Sequence, residues 1–199
     1  MKVLKKLLSP ERLFSGFVRR GHPHLVDLRS MRQVTLADLG NCSLARSISQ
    51  CRYIGSGVVI YFLDPERIQI GKNSELRDYL VLEVGGELLV GENSVLGAYN
   101  WVQASGSVRI GSGVIIGPHA AIVSTTHEKP SASSNVHETP LVPGTVTIGD
   151  NVWIGAQVSI LKDVNIGANA MIGAASVVTK DIPSGATAFG TPCKPIVPV

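Results

Sequence analysis

From Ile148 to Pro183 the apolar positions recur every six residues, in the blocks IGDNVW, IGAQVS, ILKDVN, IGANAM, IGAASV and VTKDIP. Each block opens on an aliphatic residue, usually followed by Gly. A period that short fits neither a helix pair nor a hairpin. It predicts a solenoid in which the first residue points inward and the second makes a turn where a Cβ would be crowded. Three hexads then close one triangular coil of a parallel β-helix. A coil of this kind buries its apolar face only by stacking on the next. The register continues upstream through Ile110, Ile116 and Ile122, and more loosely through Ile70 and Val90. Ile70, Val90 and Ile110 are spaced by one three-hexad coil plus two residues, so a surplus is expected to bulge near Gly85-Gly86 and near Ser105-Gly106. Ile54-Gly55 marks the start of an earlier coil.

The interruption of the pattern is as informative as the pattern. Ile110, Ile116 and Ile122 open a coil whose count closes at His127, and the next secure coil begins at Ile148. Residues 128–147, EKPSASSNVHETPLVPGTVT, are rich in Ser and Pro and poor in core residues, which predicts a long loop. Loops of that length in a compact domain are usually functional or disordered. The chain therefore divides into an N-terminal basic amphipathic and capping segment (1–53), an all-β parallel β-helix (54–183) carrying the loop 128–147, and a C-terminal tail (184–199).

Residues 1–20 interleave Lys2, Lys5, Lys6, Arg12, Arg19 and Arg20 with Leu4, Leu7, Leu8, Leu13, Phe14 and Phe17. This pattern predicts one or two short basic amphipathic helices broken near Pro10. Their apolar face either packs on its own subunit or a neighbour, or makes a peripheral membrane contact.

Composition narrows the class. The 21 glycines suit a chain that turns every six residues, and 5% aromatics suit a core of stacked aliphatics. A scattered net charge of +3 gives no case for nucleic acid as a partner. Cys42, Cys51 and Cys193 lack CxxC or metal spacing and read as reduced thiols of a cytoplasmic protein. No metal is expected. His127, at the hinge between coil and loop, is the leading catalytic candidate, because an imidazole with a pKa of about 6.5 can take a proton from an alcohol and hand it on. His137, inside the loop, either shapes an acceptor site or faces water.

The run TIGDNVWIGAQVSI, followed by VNIGANAMIGAASVVTKDIPSGATAFGTPCKPI, resembles the hexapeptide-repeat acetyltransferases, especially the maltose, galactoside, nodulation-factor and exopolysaccharide O-acetyltransferases. The match is strong over residues 110–196, weaker over 54–109 and absent before that. The resemblance implies a left-handed coil, a homotrimer with active sites between subunits, acetyl-CoA as acetyl donor and a carbohydrate acceptor. On this likeness His127 is the general base. Ala156 and Ala174 let backbone groups approach the pantetheine arm, or simply pack a turn. Thr179 and Lys180 contact the nucleotide end of coenzyme A, and Lys194 stands where relatives often carry Arg. Trp153 either walls the cofactor groove or packs against a neighbouring subunit. The tail 184–199 lies on the cofactor side.

The acceptor side departs from the family. Gly97 stands where the small-sugar enzymes have an asparagine, and Ser105 where they have an aspartate. The nearest substitutes are Asn100 and Trp101, which either bind the sugar or are turn and surface residues. An amino-sugar N-acetyltransferase is the competing enzyme reading. A metal-dependent hydratase using His119, His127 and His137 lacks the required histidine spacing, and a non-catalytic scaffold is the remaining alternative.

Overall fold

The computed structural model describes residues 42–130, 132 and 135–196. The amphipathic segment 1–20, whether it packs on the protein or contacts a membrane, lies outside the described residues. The chain forms a β-solenoid of about seven turns whose short strands stack into three parallel sheets. The first face contains Tyr53–Ile54, Glu75–Leu76, Val95–Leu96, Ile115–Ile116, Trp153–Ile154, Met171–Ile172 and Thr187–Gly190. The second is built from Val59–Phe62, Val81–Val84, Trp101–Gln103, Ala121–Val123, Ser159–Ile160 and Val177–Val178. The third consists of Ile68–Ile70, Glu87–Val90, Ser107–Ile110, Thr145–Ile148 and Val164–Ile166.

The hexads act as their pattern requires. Ile148, Ile154, Ile160, Ile166, Ile172, Val178 and Ile182 are each at most 2% exposed. A Cβ on Gly155 would sit 2.6 Å from the backbone nitrogen of Ala174 in the next coil, so this corner admits no side chain. At the corner between the third and first faces, Asn73, Asn93, Asn151 and Asn169 adopt positive φ, as do Gly113 and Gly185. Asn tolerates that region better than other residues with a Cβ. Asn151 also donates through Nδ2 to Asn169 Oδ1 at 2.9 Å, linking successive turns.

The coil length changes along the axis. On the second face Val81 pairs with Trp101 and Trp101 with Ala121, whereas farther along Ser159 pairs with Val177, a step shorter by two. The surplus lies at Gly85-Gly86 and Ser105-Gly106, between the second and third faces. There, a Cβ on Gly86 would fall on the carbonyl oxygen of Gly106, and one on Gly106 would fall on that of Gly144.

One end is covered and the other is closed in part. The helix α1 (Ser43–Ser49) is capped by Cys42 Sγ, which accepts from Ala45 N–H at 3.4 Å, and it buries Leu44 and Ile48 in the core. Ser47 Oγ accepts from Ile70 N–H at 3.0 Å, fixing the helix on the third face. At the far end Thr187–Gly190 continues the first face beyond residue 183, and Cys193–Pro195 folds back antiparallel onto it.

The excursion is a hairpin. Thr125–His127 pairs antiparallel with Leu141–Pro143, and a 3-10 turn, Val136–Glu138, lies between them. The expected loop 128–147 is therefore shifted: the chain leaves the coil after Ser124 and rejoins it at Thr145. Residues 145–147 belong to the strand Thr145–Ile148 because Val146 points inward and is fully buried between Val108 and Val164.

Replacing Gly86 by Ala should destabilise the protein by roughly 1–3 kcal/mol, as overpacking against an unyielding backbone does. Urea unfolding will read this as a lower midpoint, whereas an unchanged midpoint would mean that the corner can relax.

Candidate functional site

The hairpin is rooted in the coil below it. Ser124 Oγ donates to the Gln103 carbonyl at 2.9 Å and accepts from Gly106 N–H at 3.0 Å. Thr125 Oγ1 donates to Gln103 Oε1 at 2.6 Å. Strand alternation puts Thr125 and His127 on one side of Thr125–His127, with Thr126 on the other. The exposed ring of His127 is thus carried by a short strand whose base is tied to the second face.

Its orientation selects a tautomer. His127 Nδ1 lies 3.4 Å from Thr139 Oγ1, and that hydroxyl gives its one proton to the Val136 carbonyl at 2.7 Å. The hydroxyl oxygen is then left to accept from Nδ1–H, which makes Nε2 the basic nitrogen. A neutral imidazole in this form can accept a proton at Nε2.

The residues assigned to the cofactor fall around the C-terminal coils. Ala156 and Ala174 occupy the same corner, between the first and second faces, in successive turns. Thr179 and Lys180 are exposed at the opposite edge of the second face, directly after Val177–Val178. Lys194 is exposed on the returning strand, paired with Phe189. Trp153 is 52% exposed on the first face, in register with exposed Ile115 and Met171. The structure groups Ala156, Ala174, Thr179 and Lys180 around one end of the second face and sets Trp153 and Lys194 on the adjoining first face.

The acceptor candidates separate. Asn100 is only 2% exposed, and its Oδ1 accepts from Ala120 N–H at 2.8 Å in the next coil. Its side chain is turned into the core, away from both the sugar contact and the surface position considered for it. Trp101 is 40% exposed on the second face, diagonal to Glu83 of the preceding coil. Burial raises the Glu83 pKa above the ordinary carboxylate value, and the neighbouring Trp101 indole opposes that rise. His137 is exposed in the 3-10 turn, its backbone N–H bonded to Asn135 Oδ1 at 3.1 Å. His119 stacks on Tyr99, with ring centroids 5.0 Å apart. Among the described residues no group of three or more His, Cys, Asp or Glu is arranged to hold a metal ion.

Glu83, Gln103, Thr125 and Thr139 were not singled out by motif. Alternation within the strand VLEV would have put Glu83 outward, but nothing in the pattern links it to Trp101, and the Thr139 contact arises only when the hairpin closes.

Residues 145–180 match the model of the bacterial transferase hexapeptide, six repeats long. Over those residues the chain is similar to the hexapeptide-repeat transferases. Among solved structures it is similar to the polySia-specific acetyltransferase NeuO, at 27% identity over 72% of this chain and 67% of that one, with a TM-score of 0.61. It is also similar to a maltose O-acetyltransferase from Clostridium difficile 630, at 25% identity over 98% and 83% of the two chains and a TM-score of 0.51. AntD, an N-acyltransferase from Bacillus cereus solved with dTDP and coenzyme A, shares the fold at 19% identity over 82% and 89%, with a TM-score of 0.60. No curated protein matches the chain in sequence.

Replacing Asn100 by Ala should cost about 1–3 kcal/mol, because the buried Ala120 N–H loses its acceptor. Denaturant unfolding measures this; a variant as stable as the parent would return Asn100 to the candidates for ligand binding.

Proposed function

We propose that the protein is a coenzyme A-dependent acyltransferase that moves an acetyl group from acetyl-CoA to a hydroxyl of a carbohydrate, a surface or exopolysaccharide unit or its precursor. One observation carries this reading: His127 projects from a rooted hairpin with Nδ1 tied to Thr139, leaving Nε2 basic. The likeness to NeuO and to the maltose O-acetyltransferase supports it.

The residues at the C-terminal end of the second face fit an acyl-CoA. Ala156 and Ala174 add only methyl groups to their corner, and exposed Lys180 and Lys194 supply cations for phosphates. In the reaction His127 Nε2 accepts the proton of the acceptor hydroxyl as its oxygen bonds to the thioester carbonyl carbon. When the tetrahedral adduct collapses, the C–S bond breaks and the imidazolium returns the proton to the departing thiolate. Base catalysis of this kind is worth ~10²–10⁴-fold.

The first face supports a homotrimer. Exposed Ile115, Trp153 and Met171 lie side by side across it, forming an apolar stripe suited to a second copy of the chain. Trp153 would then pack between subunits. The three free cysteines suit a cytoplasmic setting.

His127→Ala should lower kcat by ~10²–10⁴-fold while the acetyl-CoA dissociation constant stays within about twofold. Thiol release from acetyl-CoA with hydroxyl and amino acceptors measures the rate, and mild alkali separates the products, since esters are cleaved and amides survive. Parental turnover in His127→Ala removes the base assignment; an alkali-stable product replaces O-acetylation with N-acetylation.

A further inference from the structure

The second face has a second end, away from the coils assigned to the cofactor. There the outward side chains form two columns. Tyr61, Glu83 and Gln103 are partners across three strands, and beside them run Val59, Val81, Trp101 and Ala121, followed by Ser159. The Trp101 ring lies diagonal to Glu83 across the Val81–Trp101 and Glu83–Gln103 pairs and remains substantially exposed. Next to it, toward the C-terminal coils, Ala121 and Ser159 are small and leave the ring's flank open. Tyr79, Tyr99 and His119 stack at the adjoining corner, with successive centroids 5.0 Å apart, and so form a wall.

The polar groups converge on the same surface. The Glu83 carboxylate has about four acceptor sites. Gln103 gives its Oε1 to Thr125, which leaves its amide nitrogen to donate. Thr125 in turn joins this patch to the strand that carries His127. An aromatic panel beside a half-buried carboxylate and an amide suits a sugar with free hydroxyls. The same carboxylate opposes a sugar that bears its own negative charge, since like charges brought together in a partly desolvated site repel strongly.

We propose that Trp101, Glu83 and Gln103 form an acceptor subsite for a neutral glycan, in which Glu83 receives hydroxyl hydrogen bonds and excludes acidic sugars. This rests on the acyltransferase reading and deepens it, because it names the acceptor's charge class and a specificity-determining residue.

Calorimetric titration of the full chain tests the proposal without catalysis. The probes are neutral trisaccharides of glucose, galactose and N-acetylglucosamine, and acidic trimers of galacturonic and sialic acid. At least one neutral trimer should bind about tenfold or more tightly than either acidic one. Glu83→Gln should weaken that neutral trimer about tenfold and narrow the gap to the acidic ones, while acetyl-CoA affinity is unchanged. Trp101→Phe, which keeps a ring and loses the indole N–H, should weaken the neutral trimer less than Trp101→Ala; thermal unfolding checks that each variant is folded. Tighter binding of acidic trimers, no binding of any neutral trimer, or a change under twofold in folded Glu83→Gln would overturn the subsite. Binding of a neutral trimer without any binding of acetyl-CoA would instead overturn the acyltransferase reading and leave the subsite standing.

Discussion

Every coil presents its strand N–H and C=O groups along the solenoid axis, where only the next coil can satisfy them. Gly111 N–H donates to the Ile148 carbonyl and Gly117 N–H to that of Ile154, each at 2.7 Å across the turn that contains the hairpin. An unpaired backbone group buried in such a stack would cost as much as a lost hydrogen bond, so the register is held throughout. Held register stacks side chains in columns with strands ~4.8 Å apart. The columns then become nearly uniform in kind: aliphatic inside, glycine or alanine at one corner, asparagine at another. The ends need separate treatment because an open ladder invites pairing with another chain. Helix α1 covers one end, and the antiparallel return of Cys193–Pro195 closes part of the other.

The same constraint decides where an insertion can go. Ala121 and Ser159, like Val108 and Val146, have the whole hairpin between them in sequence yet pair as neighbours on adjacent strands. The extra chain leaves at a corner, so no ladder is broken. Gly144 N–H returns to the Ser124 carbonyl at 2.7 Å, closing the hairpin's neck. A side chain that must be held accurately is thereby carried on a short strand whose base belongs to the solenoid. Such rooting suits the base role proposed for His127.

How much of this could be read beforehand follows from the same physics. The coils were legible because their signal is local: an inward aliphatic every six residues needs no knowledge of partners. The bulges at Gly86 and Gly106 were legible as a surplus of two in the spacing. The edges of the excursion were less so, since TVT looks polar although Val146 alternates into the core. Asn100 was left between a turn and a sugar site because Asn serves both, and its inward orientation depends on Ala120 one coil away. Glu83, Gln103 and Thr139 act through partners in a neighbouring coil or across a hairpin, and a period of six carries no trace of them.

The loosened period has a chemical consequence. In the regular three-hexad coils the strands of the second face are short, Ser159–Ile160 and Val177–Val178, and each offers one outward side chain. Where the coil gains its surplus pair, Val81–Val84 and Trp101–Gln103 run longer, so each offers two. The added positions are those of Glu83 and Gln103. The regular coils therefore present a narrow, small-residue surface, whereas the longer coils gain a second column able to carry polar specificity. Two residues per turn, accommodated by glycines that let the corner carbonyls pass, are enough to give one continuous sheet two chemically different ends. The hairpin leaves that sheet between them.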